Sequence, residues 1–479
     1  MYLENTSFDA VITDSKGQTL EVDCRVSEPA ASGLPADISI EIPLTDTKHA
    51  ALENPCTLRG IDGGCEIEIK ELWYRSMPDG VTHRKHARGN FDINHAGQLW
   101  VRLSHWKSER ALLRFHLSPI RFFKKSGKAT MVNYSATPHM TVELFRIKTS
   151  ELGEIRFIKH WSVQHVDKKG VAAEIRISFA AEIKCDEATA GPVDQLVEKM
   201  KDVLIPLSIL TRQAITLHGW RWEKKDGLES TWFVPLQPNL APDMAEEPTG
   251  DLCFPKEFEE HAQSLVDGFL AASVDLKEAV TLLSVALAPH VERSTAANFS
   301  ALFSALEQAI ALEKLTTEAK KKLRESDDVL IAELLDLKTR IEARKSLHSE
   351  SVAARVAGLA KSVEGSGPSF NVRFERFLSV YPVLRPYMSD LWPVRGTQKV
   401  PGLKQIRDSL AHGLRQEYSM HAIAVGRWHF ARLSERLAFI LLGAEVPKGI
   451  HFNSLLLTRE QWYNRTHWES IRGTAKRKS

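Results

Sequence analysis

Three residues whose side chains can act on a phosphate follow one another within six positions: Arg407, Asp408 and His412. Asp408 and His412 are four residues apart, so on a helix they share a face, and Arg407 lies about 100° away from Asp408. A guanidinium holds a phosphate through two parallel hydrogen bonds, and an imidazole transfers protons near neutral pH. This combination predicts a minimal site for breaking a phosphodiester bond.

The surrounding sequence predicts a helix over residues 400–415. Apolar residues recur there at three- and four-residue steps: Leu403, Ile406, Leu410 and Leu414. The spacing of the pair is not specific by itself, since four to six residues also separate Arg88–His95, Arg110–His116, Arg212–His218 and Arg415–His421. A solvated helix face is therefore the competing interpretation. The apolar stripe and the immediate neighbours, Asp408 and Gly413, distinguish this occurrence.

The string RDSLAHG at residues 407–413 resembles the signature of the HEPN superfamily, in which an arginine and a polar residue precede a histidine. Residues 298–307, reading NFSALFSALE, resemble the earlier helix of that family, which carries an acidic residue after an apolar run. The HEPN-like part covers roughly residues 255–445. The order of the two parts, a strand-rich N-terminal half followed by a HEPN-like domain, most resembles that of the ApeA-type abortive-infection proteins.

The resemblance implies a metal-independent endoribonuclease of anti-phage defence, which cleaves RNA through attack of the 2′-hydroxyl. His412 would do the acid–base work, Arg407 would bind the phosphate, and Asp408 would orient the imidazole. Glu307 ends the earlier motif, and it either pairs with Arg407 or is simply solvated. The product would carry a 2′,3′-cyclic phosphate.

The same resemblance implies an RNA substrate, with tRNA among the candidates, a phage-derived trigger, and neither metal nor cofactor. Each chain supplies one histidine and one arginine, whereas the reaction uses both a base and an acid. A two-fold axis near the motif would double the set, so we expect a homodimer or a higher even oligomer. Two other classes of function stay open: an inactive HEPN-like module that binds RNA or protein, and an adaptor or sensor that works through the N-terminal sheet.

The order of sequence patterns predicts an α+β multidomain protein. Residues 1–237 contain many short alternating strands with regular turns, which is typical of a sandwich or a closed sheet, and we expect a sandwich-like domain. Residues 238–252 are rich in proline and acidic residues and read as a linker. Residues 253–449 are predicted to form an all-α, HEPN-like bundle, and residues 450–479 an extension with a basic tail.

Composition is that of an ordinary globular protein, with a net charge of +2, so any RNA contact must come from a local patch. The five cysteines are scattered, which is typical of free thiols in a reducing compartment. The sequence shows neither the basic and apolar start of a secretory signal nor an apolar run long enough to span a membrane. We therefore expect a cytoplasmic protein without membrane contact. The phosphate-loop, HExxH and GxSxG motifs are absent.

Two weaker features allow functional interpretations as well. His83, His86, Asp92 and His95 suggest a metal site or an RNA contact, but the neighbouring cations favour a plain surface loop. Trp220 and Trp222 alternate on one strand, and they either stack on bases or cover a sheet face.

Overall fold

The protein was analysed as a computed structural model. It describes residues 6–27, 37–43, 52–76, 88–95, 98–104, 106, 111–118, 139–165, 173–185, 192–233, 257–288, 294–312, 317–344, 348–365, 370–397, 400–411, 418–447 and 469–472. The chain divides into two compact units, one of residues 1–271 with 442–456 and one of residues 272–441 with 457–479. Among the described helices, none is both long and apolar enough to cross a bilayer.

The first unit is built from thirteen described strands and two helices. The strands are β1 (Thr6–Thr13), β2 (Thr19–Ser27), β3 (Asp37–Pro43), β4 (Cys56–Asp62), β5 (Cys65–Ser76), β6 (Arg88–His95), β7 (Gln98–Leu103), β8 (Leu112–Leu117), β9 (His139–Thr149), β10 (Gly153–His165), β11 (Ala173–Lys184), β12 (Leu217–Glu223) and β13 (Leu228–Phe233). The helices are α1 (Val193–Thr211) and α2 (Phe258–Ala271). The strand-rich N-terminal part of the α+β prediction is thereby confirmed.

All thirteen strands belong to one antiparallel sheet in the order β4-β1-β2-β3-β6-β5-β7-β13-β12-β8-β11-β10-β9. An additional β4–β5 pairing closes the first six strands into a ring. Strand β5 makes the closure, because its first half pairs with β4 and β7 and its last four residues pair with β6. The halves meet at Glu71, whose φ is +53°. The structure therefore has one continuous sheet with a closed part, which corresponds to the closed-sheet alternative rather than to the sandwich-like domain that we expected.

The ring is filled by the apolar side chains that alternate along its strands. Phe8, Val22, Leu58, Ile67 and Ile69 are members of this core and are all buried. Burial of these side chains, which face inward at every second position of a strand, thus contributes most of the free energy that stabilises the folded ring.

One segment that we expected to be a surface loop is part of this ring. Residues Arg88–His95, which include Asp92 and His95, form strand β6 between β3 and β5. His83 and His86 lie outside the described residues. Pairing with two strand edges far away in sequence, rather than local turn preference, decides the conformation of this segment. Strands β1, β2 and β4 were likewise not predicted individually.

The tryptophans of β12 cover a sheet face. Trp220 and Trp222 are only 5% and 7% exposed, so neither ring is available to stack on a base. Trp220 lies opposite Phe115 of β8, and Phe115 lies opposite Ala181 of β11, which places all three on one apolar face. The base-stacking interpretation is therefore wrong.

Helix α2 completes the outer edge of the sheet at β9. Phe258 packs edge-on against Phe145 with the ring centroids 5.0 Å apart. Gln263 accepts from the backbone N–H of Lys148 (2.8 Å) and donates to its carbonyl (2.6 Å). The compact unit thus extends to Ala271, beyond the linker predicted at residues 238–252, which lies outside the described residues.

The described part of the second unit is helical. Its helices are α3 (Val274–Leu287), α4 (Thr295–Ala311), α5 (Thr317–Ala343), α6 (Ser349–Gly365), α7 (Phe370–Val380), α8 (Leu403–Ala411) and α9 (Met420–Leu441), with short 3-10 turns at Pro382–Leu384 and Pro386–Met388. Helix α4 is central, since it contacts α3, α7, α8 and α9, while α5 and α6 pack along each other. Of the predicted C-terminal extension, residues 469–472 are described.

Candidate functional site

Helix α4 carries the first part of the candidate site. Its start is stabilised by Ser294, whose hydroxyl accepts a hydrogen bond from the N–H of Ala297 at 3.2 Å. The side chains of Phe299, Phe303 and Leu306 are buried along one stripe, and Glu307 directly follows this stripe. The periodicity that makes α4 a core helix therefore leaves Glu307 at the boundary between core and solvent.

Helix α8 carries the second part, and its first turn is held tightly. Gln405 accepts hydrogen bonds from the N–H groups of Gly396 (3.1 Å) and Gly402 (2.8 Å). The two glycines approach so closely that a Cβ on either one would collide with the backbone of the other. The indole N–H of Trp392 donates to the carbonyl of Pro401 at 3.0 Å. These contacts fix the position of α8 before its functional residues are reached.

The buried line of α8 differs from the predicted one. Leu403 and Ile406 are fully buried, as expected, but the next buried residue is Ser409, whereas Leu410 is only partly covered. Leu414 lies outside the described residues. Because Ser409 rather than Leu410 faces the core, Arg407 and Asp408 lie at the rim of the helix interface and are partly exposed.

Arg407 is held by groups from both helices. Its Nη2 donates to Glu307 Oε2 at 2.6 Å, and its Nη1 donates to Asp408 Oδ1 at 3.0 Å. The guanidinium carbon lies 4.9 Å from the centre of the Phe303 ring, within cation–π distance. The side chain of Arg407 remains 30% exposed. The structure thus pairs Glu307 with Arg407, one of the two alternatives that the sequence left open.

Lys404 joins this cluster, and sequence reasoning missed it. Its ammonium group forms an ion pair with Asp408 Oδ2, one helical turn away. The signal was present in the sequence as a lysine and an aspartate at i and i+4, a spacing that brings opposite charges together on a helix. The cluster of Lys404, Arg407, Asp408 and Glu307 therefore contains two cations and two carboxylates.

His412 and Gly413 lie outside the described residues. The structure consequently brings together three of the four predicted site residues: Arg407, Asp408 and Glu307. Asp408 was expected to orient His412, and its two carboxylate oxygens accept from Arg407 and Lys404. In the described part of the chain, no group of three metal-ligating side chains is close enough to hold a metal ion.

A second set of charged residues, also missed in the sequence, is buried on α9. Arg432 and Glu435 form an ion pair at 2.7 Å with both side chains almost inaccessible to solvent. Burial raises the pKa of Glu435 to about 7. Arg436 donates to both carboxylate oxygens of Asp390, at 2.6 and 2.9 Å. Asp390 is 60% exposed, and partial desolvation opposes the hydrogen bonds and charge of Arg436, which lower its pKa below the usual value.

These buried groups support the site indirectly. Arg436 also donates to the carbonyl of Tyr387, so α9 holds the turn that leads towards Trp392 and the start of α8. The N–H of Trp392 donates to Nδ1 of His429, a further buried residue of α9, at 3.3 Å. Arg436 and His429 of α9 therefore hold the segment that leads to α8 and Arg407.

Compared with known proteins, the chain matches no family model, no curated protein and no solved structure. Its function is therefore inferred from its own residues and their contacts.

Proposed function

We propose that the helical unit is a HEPN-like, metal-independent endoribonuclease of anti-phage defence, with Arg407 as its phosphate-binding residue. One observation carries the proposal. The guanidinium of Arg407 is held in a partly exposed position by Glu307 and Phe303 of α4 and by Asp408 of α8. This is the arrangement expected of a group that must meet a charged substrate in a defined orientation.

The reaction follows from the groups in the motif. His412 removes the proton from a ribose 2′-hydroxyl, and O2′ then attacks the neighbouring phosphorus. Arg407 stabilises the additional negative charge of the phosphorane with those of its five N–H donors that Glu307 and Asp408 do not use. The bond to the 5′-oxygen breaks as an acid protonates that oxygen, which leaves a 2′,3′-cyclic phosphate and a 5′-hydroxyl.

The second acid–base group comes from a second chain in this proposal. Two chains related by a two-fold axis would place two copies of Arg407 and His412 around one RNA phosphate. RNA, tRNA included, is the substrate, and a phage-derived signal activates the enzyme. The first unit acts in sensing or restraint.

The net charge of the cluster also supports a competing role. Lys404 and Arg407 are balanced by Glu307 and Asp408, so the four residues form a neutral link between α4 and α8 rather than a basic patch. Such a link serves equally well in a module that binds RNA or protein without cleaving anything, or in an adaptor that works through its sheet.

The deciding experiment is cleavage of RNA by the full-length protein with and without a chelator. We expect chelator-resistant cleavage that yields 2′,3′-cyclic phosphate ends and is lost in His412→Ala. Arg407→Lys should reduce cleavage by about tenfold or more, because lysine lacks the planar fork of donors.

Arg340→Lys is the matched control, since Arg340 of α5 also forms an ion pair, with Asp336 at 3.0 Å, and belongs to neither helix of the cluster. Unchanged unfolding midpoints would show that the variants fold. Full activity of a folded His412→Ala protein would exclude the catalytic assignment. RNA binding without cleavage would support the binding module, and neither activity would support the adaptor.

A further inference from the structure

Helices α5 and α6 form a hairpin within the second unit. Five residues connect them, and they pack along each other, so they run antiparallel. On α6 the buried residues are Ser349, Ala353, Val356 and Ala360, and on α5 the partly covered ones are Ile331, Leu334, Lys338 and Ile341. Both sets recur at three- and four-residue steps, and they mark the faces by which the two helices meet.

Four large apolar side chains lie off these faces and are accessible to solvent. Leu330 and Leu337 are 44% and 39% exposed, and Val352 and Leu359 are 42% and 57% exposed. Each pair is separated by seven residues, or two turns, and therefore forms a line along its helix. At about 100° per residue, each line lies about 75° away from the face that meets the other helix.

The two lines fall on the same side of the hairpin. Viewed from one end, the residues of two antiparallel helices progress around their axes in opposite directions. On both α5 and α6 the line lies about 75° before the contact face in the direction of the chain. The two lines therefore point to the same side of the hairpin. Leu337 and Val352 are both near the connection, and Leu330 and Leu359 are both further from it. We name this surface the apolar strip: Leu330, Leu337, Val352 and Leu359. Leu335, 46% exposed, lies on the opposite side of the hairpin.

Charges of opposite sign border the apolar strip at the same height. Glu333 lies between Leu330 and Leu337 on the outer edge of α5, and Arg355 lies between Val352 and Leu359 on the outer edge of α6. A two-fold axis parallel to the helices would place α5 of one chain over α6 of another. Glu333 of each chain would then face Arg355 of the other chain, which gives two symmetry-related ion pairs per dimer. A two-fold axis across the helices would oppose like charges instead.

We propose that the α5–α6 hairpin is a dimerisation surface whose occupant is the same hairpin of a second copy of this chain. The strip is apolar, and a two-fold axis parallel to the helices places its acidic border against the basic border of the second chain. Such self-complementarity is the property of an isologous interface. The resulting four-helix arrangement buries all eight strip residues between antiparallel helices. Its balanced borders give no reason for a nucleic acid to bind there.

The first test compares Leu337→Glu with Leu335→Glu in the full-length protein by sedimentation equilibrium over a range of concentrations. The two variants make the same chemical change two residues apart on one helix, at similar exposure, but on opposite sides of the hairpin. We expect the dissociation constant to rise at least tenfold for Leu337→Glu and to stay unchanged for Leu335→Glu. A wild-type monomer at all concentrations, or a dimer unaffected by Leu337→Glu, would overturn the proposal.

The second test is a charge exchange that leaves the strip intact. Glu333→Arg and Arg355→Glu should each weaken the dimer, because each places two like charges across the axis, whereas the double variant should restore it. Dimers that are insensitive to all three changes, or a double variant weaker than both single ones, would refute the symmetry. The measured quantity is molecular mass, so the result is independent of whether the protein cleaves RNA.

Discussion

The orientation of Arg407 depends on a residue one hundred positions earlier in the chain, Glu307 of α4. A hydrogen bond between two charged groups contributes about 1.5–3 kcal/mol where it is shielded from water, and less where, as here, the groups are partly exposed. The ring of Phe303 lies against the guanidinium and limits its movement further. In our proposal, Glu307 is therefore a positioning residue and does not touch the substrate.

Glu307→Gln should lower RNA cleavage by about tenfold, since an amide holds the guanidinium less firmly and about 1.4 kcal/mol corresponds to a factor of ten. Single-turnover cleavage rates, measured beside RNA affinity, test this expectation. Glu375→Gln is the matched control, because Glu375 also forms an ion pair with an arginine of the second unit. An increase in cleavage would instead mean that Glu307 competes with the phosphate for Arg407.

At the scale of the element, strand β12 lies between β13 and β8 and so connects the part of the sheet that contains the ring to the strands β8, β11, β10 and β9. Gly219 lies opposite His116 of β8 on one side and opposite Trp232 of β13 on the other. A side chain at position 219 would collide with the backbone of β13 and with Trp232. Because glycine leaves this space open, the rings of His116 and Trp232 stack across the strand with their centroids 4.1 Å apart.

Because His116 is buried in this stack, we expect the stability of the first unit to depend on pH. Burial lowers the pKa of His116 well below 6.5, and the charges of Arg221, Arg114 and His218 lower it further. The unfolded chain takes up the proton near pH 6.5 while the folded chain does not, so stability is complete above that pH and is lost as the pH falls below it. Burial lowers the pKa of His218 in the same sense.

His116→Phe should make the urea midpoint of the first unit fall less between pH 7 and pH 5 than it does in the wild type. The expected contribution of His116 is at most about 1.4 kcal/mol per pH unit. Tryptophan fluorescence is a suitable probe, because Trp232 belongs to the stack. Identical pH profiles of the two proteins would contradict the assignment, and a partial effect is expected because His218 still titrates.

At the scale of the whole molecule, the proline-rich segment does not mark the end of the first compact unit. The unit continues through α2, which satisfies backbone groups of the edge strand β9 and covers Phe145. An unpaired edge beside an exposed phenylalanine is a site of aggregation. The connection after residue 271, rather than the linker predicted at residues 238–252, is where the chain passes to the second unit.

A fragment of residues 1–271 should therefore have a higher unfolding midpoint and better solubility than one of residues 1–237. Thermal unfolding followed by circular dichroism tests this, with a strand-dominated spectrum expected for both. In the longer fragment, Phe258→Ala should remove part of the advantage, since Phe258 packs on Phe145. Equal midpoints of the two fragments would show that α2 contributes nothing to the unit.

The sequence by itself determined the types of most elements, because the periods of two and of 3.6 residues are local properties. The observed α4 (Thr295–Ala311) and β7 (Gln98–Leu103) lie where alternation and helical spacing predict them. The pairing of Glu307 with Arg407 was also foreseen as an alternative, although only through the resemblance of two short motifs. The family and the activity remain proposals that these motifs motivate.

Only the tertiary structure decided which faces and edges meet, because a periodic pattern states that a residue is buried and not what covers it. Partners distant in sequence close the ring through β5 and make β6 a strand instead of a loop. The same is true of α2, which joins the first unit through contacts with β9. In the site, packing selects Ser409 over Leu410 as the buried residue of α8 and brings the ring of Phe303 to Arg407. Long-range packing free energy decides these choices, and no local pattern contains it.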